Sequence, residues 1–345
     1  MPKISICVPN RNTRPYLPER FASIFAQEFQ DWELIVNDSY STDGAWEYIQ
    51  ELAATEPRMR IAQSPPEGPY AGFNACIKQA RGEFIYIATS DDTMMPDCLA
   101  KMVAALEAHP DCGLCQCQLV VIDEKSIPFP SERQWPQYTL GAYDKDLVLK
   151  KNKRMAPHDG MVHPALYTIC TSVTQLLVRR SVFDRIGLFN GQWGSISDFE
   201  WGMRAGLLEN CIYIPDKLAT WRLHTDQATQ EVHTPKNRLK MIDMAYAAFT
   251  QAKKCGGASL ENIDIKEVIY FLQRDVVELG RQLPGNKIKK LSILVTQFFQ
   301  RPGAVVDYML ARLQGKKWGN WDCPVRYARL HHILQKYHVP VPIFE

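Results

Sequence analysis

The sequence predicts an α/β fold: a mostly parallel sheet flanked by helices, with a helical C-terminal extension. Three observations predict it. Over the first 125 residues, short β-rich runs alternate with stretches of helical period. The β-rich runs end in polar turns, as strands joined by right-handed helical crossovers do. From Lys236 onward the apolar spacing is helical.

Taken in order, residues 4–8 form the first β-rich run. Residues 16–26 place Leu17, Phe21, Ile24 and Phe25 on one helical face. Residues 32–36 predict a strand ending in Asn37-Asp38-Ser39, and residues 45–54 a helix. Residues 60–62 are at most a short strand. The turn Pro65-Pro66-Glu67-Gly68-Pro69 leads into a helix over 71–80. A strand over 83–88 closes in Thr89-Ser90-Asp91-Asp92, followed by a helix over 97–108 and a strand over 113–122. Residues 125–170 are rich in Pro and Lys and have no period. They read as an irregular loop that orders on ligand binding, with His158 and His163 as ordinary loop residues. Helices are predicted over 173–186, 199–208, 238–253, 263–283, 287–300 and 304–313, with an apolar run at 211–215. No internal repeat is visible.

The 345 residues suit two units at about 100–200 residues each. The division expected is 1–230, split into halves 1–125 and 126–230, and a helical region 231–345. With 46% apolar and 23% charged residues, a disordered, collagenous or low-complexity chain is excluded. No run reaches the roughly 18–20 uninterrupted apolar residues of a membrane span. The opening Met1-Pro2-Lys3-Ile4-Ser5 reads as a strand without signal-peptide layout, so a cytoplasmic protein is expected. Its ten cysteines are then reduced thiols. Cys112, Cys115 and Cys117 cluster, but the alternation around them is that of a strand, and no second ligand pair follows at a zinc spacing.

Charge is uneven. Residues 226–345 hold 18 Lys and Arg against 11 Asp and Glu; the rest hold 22 against 27. The N-terminal part is therefore not a nucleic-acid binder. The plainer reading of the C-terminal third is a helical cap packed on the first unit with Lys outside. The sharper one is a peripheral element on an anionic membrane. Lys287, Lys289 and Lys290 precede the apolar run 291–295 and Phe298-Phe299, and Lys316-Lys317-Trp318 lies near Trp321.

In such sheets ligands bind beyond the carboxyl ends of the strands. That rule selects residues 37–44 and 90–93, both rich in carboxylates. Adjacent aspartates after a buried strand repel each other, and a hard cation relieves this. Mg²⁺ favours one or two carboxylates plus substrate phosphates, which suits a nucleotide diphosphate carried on a divalent metal. The competing reading is capping, for which Asp43 and Asp92 are also well placed.

These segments resemble glycosyltransferase family two, inverting enzymes of the GT-A fold. Val8-Pro9-Asn10-Arg11-Asn12 is similar to the family's opening turn. Trp32-Glu33-Leu34-Ile35-Val36-Asn37 and Asp38-Ser39-Tyr40-Ser41-Thr42-Asp43-Gly44 resemble its next strand and acidic turn. Asn74-Ala75-Cys76, Ala80-Arg81-Gly82-Glu83-Phe84-Ile85 and Ser90-Asp91-Asp92-Thr93-Met94-Met95-Pro96-Asp97-Cys98-Leu99 follow in family order. More thinly, residues 179–189, Ser197-Asp198-Phe199-Glu200-Trp201 and Trp221-Arg222-Leu223-His224 resemble later family segments. Beyond residue 230 nothing is recognised.

The resemblance implies a metal-dependent inverting transfer from a nucleotide-diphosphate sugar to a glycan or lipid-linked acceptor, in cell-surface polysaccharide or glycoconjugate synthesis. Pro9, Asn10, Asn12 and Asn74 would bind the donor, and Asp38 its base. Asp91 would face the ribose or the water shell of the metal. Asp92 would ligate Mn²⁺ or Mg²⁺, His224 would contact metal or diphosphate, and Asp198 would be the catalytic base. By position alone Asp198 also suits an N-cap, and Glu200 is the competing base. Three residues depart from the pattern: Ser39 for the second Asp of the early motif, Ser90 in the metal motif, and Phe73 where many members have Arg. A non-catalytic nucleotide-sugar binder and a sugar-phosphate nucleotidyltransferase are the rival readings. The second lacks its glycine-rich phosphate loop, since residues 9–13 hold no glycine.

Overall fold

A computed structural model describes residues 1–131, 140–224, 235–282, 287–313 and 324–345. Strands and helices alternate through β1 (Ile4–Asn10), α1 (Leu17–Phe25), β2 (Trp32–Asp38), α2 (Ala45–Ala53), β3 (Met59–Gln63), α3 (Pro69–Gln79), β4 (Phe84–Ile87), α4 (Cys98–Ala108) and β5 (Cys112–Ile122). Every residue of β2 is buried, because helices cover both faces of a parallel sheet. β1 pairs in parallel with β2, from Ile4 opposite Trp32 to Asn10 opposite Asp38, and with β4 on its other side. This register ends the strands together, so the turns carrying Asn10, Asp38 and Thr89 meet at one edge.

The second half adds α5 (Leu140–Tyr143), α6 (Asp146–Leu149), β6 (Asn152–Arg154), α7 (His158–Leu166), β7 (Leu176–Arg179), α8 (Arg180–Ile186), α9 (Ser197–Leu208) and β8 (Asn210–Arg222). The C-terminal region supplies α10 (Pro235–Lys254), α11 (Ile265–Val268), α12 (Tyr270–Gln282), α13 (Lys287–Gln300), α14 (Pro302–Leu313), α15 (Pro324–Lys336) and β9 (Ile343–Phe344). The nine strands form one sheet in the order β3-β2-β1-β4-β7-β5-β8-β6-β9. It is parallel over β3, β2, β1 and β4, and mixed beyond, where β7, β6 and β9 pair antiparallel.

Three segments differ from the sequence reading. Residues 173–186 are not one helix: a 3₁₀ turn and β7 precede α8. Leu177 and Val178 lie buried between β4 and β5, and so short an apolar run has no period that separates strand from helix. Residues 125–170 hold α5, α6, β6 and α7 rather than a loop. All nine residues of α7 are buried, so no polar face marks it as a helix. Its Gly160 crosses α9 so closely that a Cβ on Gly206 would lie 2.6 Å from the Gly160 amide nitrogen. β8 runs to Arg222, well past the apolar run, because the bulged pairing with β5 carries polar residues along the sheet. α15 and β9 had no predicted counterpart.

One core lies between α1, α4 and the sheet, with Phe21, Trp32, Leu99 and Met102. A second lies on the opposite face under α3, α8 and α9, with Phe73, Phe183 and Trp201. A third joins Met161, Phe199 and Met203 of α7 and α9 to Met244, Phe249, Phe271, Leu272 and Leu330 of the C-terminal helices. Among the described residues no helix is long and apolar enough to cross a membrane.

Candidate active site

A cavity of about 500 Å³ opens at the carboxyl ends of β1, β2 and β4. The end of β1 contributes Pro9 and Asn10, the turn after β4 contributes Ser90, Asp91 and Asp92, and β8 contributes Trp221 and, just beyond it, His224. Asp198 enters from the first turn of α9. Six of the nine predicted site residues thus share one space. Asn12, Asp38 and Asn74 are not on its wall.

Those three hold the wall in place. Asp38 is fully buried and accepts from Asn10 Nδ2 at 2.7 Å, Ser41 N at 2.9 Å and Gln63 Nε2 at 3.1 Å. It is committed to aiming Asn10. Asn12 accepts from the Thr42 amide at 2.9 Å while its own amide donates to Ser41 Oγ at 2.9 Å, which clamps the turns after β1 and β2 together. Asn74 donates to the Phe189 carbonyl and accepts from the Phe189 amide, at 2.8 and 3.1 Å. Gly72 lets α3 approach β1, since a Cβ there would sit 3.0 Å from Pro9 Cβ.

The adjacent carboxylates divide their roles. Asp92 is 2% exposed; Oδ1 accepts from the Arg222 amide at 2.7 Å and Oδ2 from the Thr89 hydroxyl. Burial, with Asp91 alongside, pushes its carboxyl up to about 7. Asp91 is the more open of the two, with 22% of its side chain exposed, and its Oδ2 lies 3.1 Å from His224 Nε2. Tyr16 packs against His224 in a tilted contact, with ring centroids 5.1 Å apart. Behind them Arg222 is 1% exposed and donates to the carbonyls of Asp91 and Asp123 and to Glu19, tying β8 to the turn after β4. Among the described residues no group of three or more His, Cys, Asp or Glu is arranged to hold a metal ion. An acidic oxygen and an imidazole on the cavity wall do fit a Mn²⁺ or Mg²⁺ that takes its other ligands from substrate phosphates and water.

Asp198 does not cap α9. The helix begins at Ser197 with Ile196 in the cap position, and Asp198 accepts from the next amide, Phe199 N, at 3.0 Å rather than from the N2 or N3 amide a cap would take. Its carboxyl is pushed up by burial, against the opposing hydrogen bond from the Tyr70 hydroxyl. Glu200, the other base candidate, is off the cavity wall. It is 3% exposed and holds Arg204 through two bonds of 3.0 Å.

Tyr70 and Trp221 were missed by the sequence reading. Tyr70 follows the Gly68-Pro69 turn and packs on Phe73 and Phe189 at 5.3 Å each. Phe73 is 6% exposed in this cluster, so an apolar wall stands where the family pattern suggested Arg. A lone aromatic beside a turn carries no sequence signal of its own. Trp221 was legible only within its motif, since its place on the wall depends on the length of β8.

The family described as glycosyl transferase family 2 matches residues 5–186. The abequosyltransferase RfbV of Salmonella typhimurium is 35% identical over 211 residues, covering 53% of this chain and 62% of that protein. The GalNAc(5)-diNAcBac-PP-undecaprenol beta-1,3-glucosyltransferase of Campylobacter jejuni is 32% identical over 105 residues, covering 30% of this chain and 34% of that one. The matches span less than two thirds of these curated relatives. In fold, the chain is similar to S. aureus TarS 1–349 in complex with UDP-GlcNAc, with a TM-score of 0.58 and 15% identity over 92% of this chain and 93% of that one. The family match takes in β1 through α8, more than half of the sequence and most of the strand ends that build the cavity, and the chain belongs to glycosyl transferase family 2.

Proposed function

We propose that the protein transfers a sugar from a nucleotide-diphosphate donor to a hydroxyl of a glycan or lipid-linked acceptor, with inversion, in cell-surface polysaccharide or glycoconjugate synthesis. The observation that carries this reading is a single cavity holding both a half-buried carboxyl, Asp198, and the Asp91–His224 pair. The names of the Salmonella and Campylobacter relatives, both sugar transferases, support it.

In this reading Pro9, Asn10 and Ser39 bound the donor pocket, and Asp38, Asn12 and Asn74 position its walls. Asp91 and His224 would hold Mn²⁺ or Mg²⁺ together with the donor's diphosphate, and Asp92 would orient the turn that carries Asp91. A bound divalent cation supplies stabilisation of the charge that grows on the leaving diphosphate. Asp198 takes the proton of the acceptor hydroxyl as that oxygen attacks the anomeric carbon. A carboxylate partly stripped of water is a stronger base, and Tyr70 fixes its orientation. The aromatic wall of Tyr70, Phe73 and Trp221 offers apolar faces to a sugar and keeps water from the reacting carbon. The setting is cytoplasmic, peripheral to the inner face of the membrane.

The test is a panel of UDP-, GDP- and dTDP-sugars in a thermal-shift assay with Mn²⁺. Donor hydrolysis is then followed with and without candidate acceptors. Stabilisation by one donor and acceptor-dependent turnover support transfer. Donor binding with no turnover under any acceptor would favour the rival reading, a non-catalytic nucleotide-sugar binder.

A further inference from the structure

α13 and α14 follow one another with a single residue, Arg301, between them, and Pro302 opens the second helix. α14 buries Ala304, Val305 and Tyr308 against Tyr270 and Val277 of α12, and Leu294 of α13 packs on the same cluster. A second set of apolar side chains faces water. On α13 it is Leu291, Val295, Phe298 and Phe299; on α14 it is Val306, Met309, Leu310 and Leu313. The first four stand at i, i+4, i+7 and i+8 and the second at i, i+3, i+4 and i+7, so each set forms one helical face. Phe299 is 81% exposed and Leu313 84%. Monomeric soluble proteins seldom leave so large an apolar area open.

Along the sequence, this segment is one-sided in charge. Residues 281–317 hold eight Lys and Arg and one acid, Asp307. Asp307 is engaged within the protein, accepting from the Tyr270 hydroxyl and lying 3.5 Å from Arg329. The positive balance of the C-terminal third therefore falls within residues 281–317, the stretch that includes both helices. Two such faces from two copies would set like charge against like. A surface that is apolar inside and anionic outside matches both features at once, and that is the chemistry of an anionic lipid leaflet.

We propose that the α13–α14 helix pair docks on anionic lipid, with Phe298, Phe299, Leu310 and Leu313 entering the acyl boundary and the Lys and Arg of the same stretch of sequence meeting headgroup phosphates. The proposal rests on these two helices and not on the transferase reading, and its test needs no donor or acceptor.

The full chain is sedimented with phosphatidylcholine vesicles that contain about one-third phosphatidylglycerol, and with pure phosphatidylcholine vesicles. Binding is expected to the anionic vesicles alone, and to fall at least about tenfold between roughly 0.1 and 0.5 M salt. The double change Phe298→Ser and Phe299→Ser should lower it at least about tenfold with an unchanged melting temperature, since both side chains are exposed. Lys289→Glu with Lys290→Glu should weaken it by a similar factor. Equal binding to both vesicle types, or none, overturns the proposal. So does a lipid-independent dimer that the Phe298→Ser, Phe299→Ser chain fails to form, because the face would then be a contact between copies.

Discussion

Asp198 and Glu200 stand two positions apart on one helix, yet only one of them meets the cavity. A spacing of two turns a helix by about 200°, so one side chain faces the pocket and the other the core. Asp198→Asn is expected to leave donor affinity near wild type and to lower transfer about 10²–10⁴-fold, the usual contribution of a general base. Glu200→Gln is expected to act mainly on stability, because it weakens a buried pair with Arg204. Transfer lost in Glu200→Gln and retained in Asp198→Asn would move the base two residues along. The adjacent aspartates make a second test. Asp91→Asn should abolish the Mn²⁺-dependent part of donor binding, and Asp92→Asn should weaken it roughly 10–100-fold, as loss of an orienting group does. Titration of Mn²⁺ with a fixed donor reads both. If Asp92→Asn alone abolishes the dependence, Asp92 is the ligand.

The pairing of α7 with α9 carries its own liability. His163 is 1% exposed, sits edge-on to Phe199 at 4.7 Å, and has no hydrogen bond of normal geometry at either ring nitrogen among the described residues. Burial lowers its pKa to about 3, outweighing the pull of Asp159. The unfolded chain takes up this proton below about 6.5 and the folded chain does not until about 3. Stability therefore rises with pH up to about 6.5 and is lost progressively as pH falls below it. The expected loss between pH 6.5 and 4.5 is about 2–3 kcal/mol from this group. His163→Leu should keep or raise stability at pH 7 and flatten that slope. Denaturant melts of both chains across this range decide it, and an identical slope in the variant removes His163 as the cause. None of this was visible in residues 125–170. A helix buried on every side has no amphipathic stripe, and its closeness to α9 depends on two glycines 46 positions apart in the chain, Gly160 and Gly206.

The C-terminal helices and the cavity-bearing half share one core. Met244, Ala245 and Phe249 of α10 pack in the cluster that holds Phe199 and Met203, and Arg326 of α15 binds Asp275 at 2.9 Å and the Ala165 carbonyl. β9 extends the sheet beyond β6, and Glu345 meets Lys151 at 2.6 Å. A chain ended at residue 230 would bare the outer face of α9, which bears Asp198. It is expected to aggregate on purification and to show no donor-dependent thermal shift. A soluble, donor-binding 1–230 fragment would show that the helices are dispensable to the site.

The sequence by itself determined the alternation of β1 through β5, the placing of two carboxylate turns at strand ends, and the order of the motifs that mark the family. These are local properties: an apolar period of two or 3.6, a turn residue, a short string of types. Only the tertiary structure decided that Asp38, Asn12 and Asn74 support the wall instead of lining it, that Asp91 rather than Asp92 is the more open carboxylate, and that Tyr70 reaches Asp198. Each of those outcomes depends on which way a side chain points and what distant segment meets it. Asp92 turns inward because Arg222, 130 residues away, presents an amide to it. Pairing across such a separation is set by the packing of the whole sheet, and no local pattern of residue types encodes it.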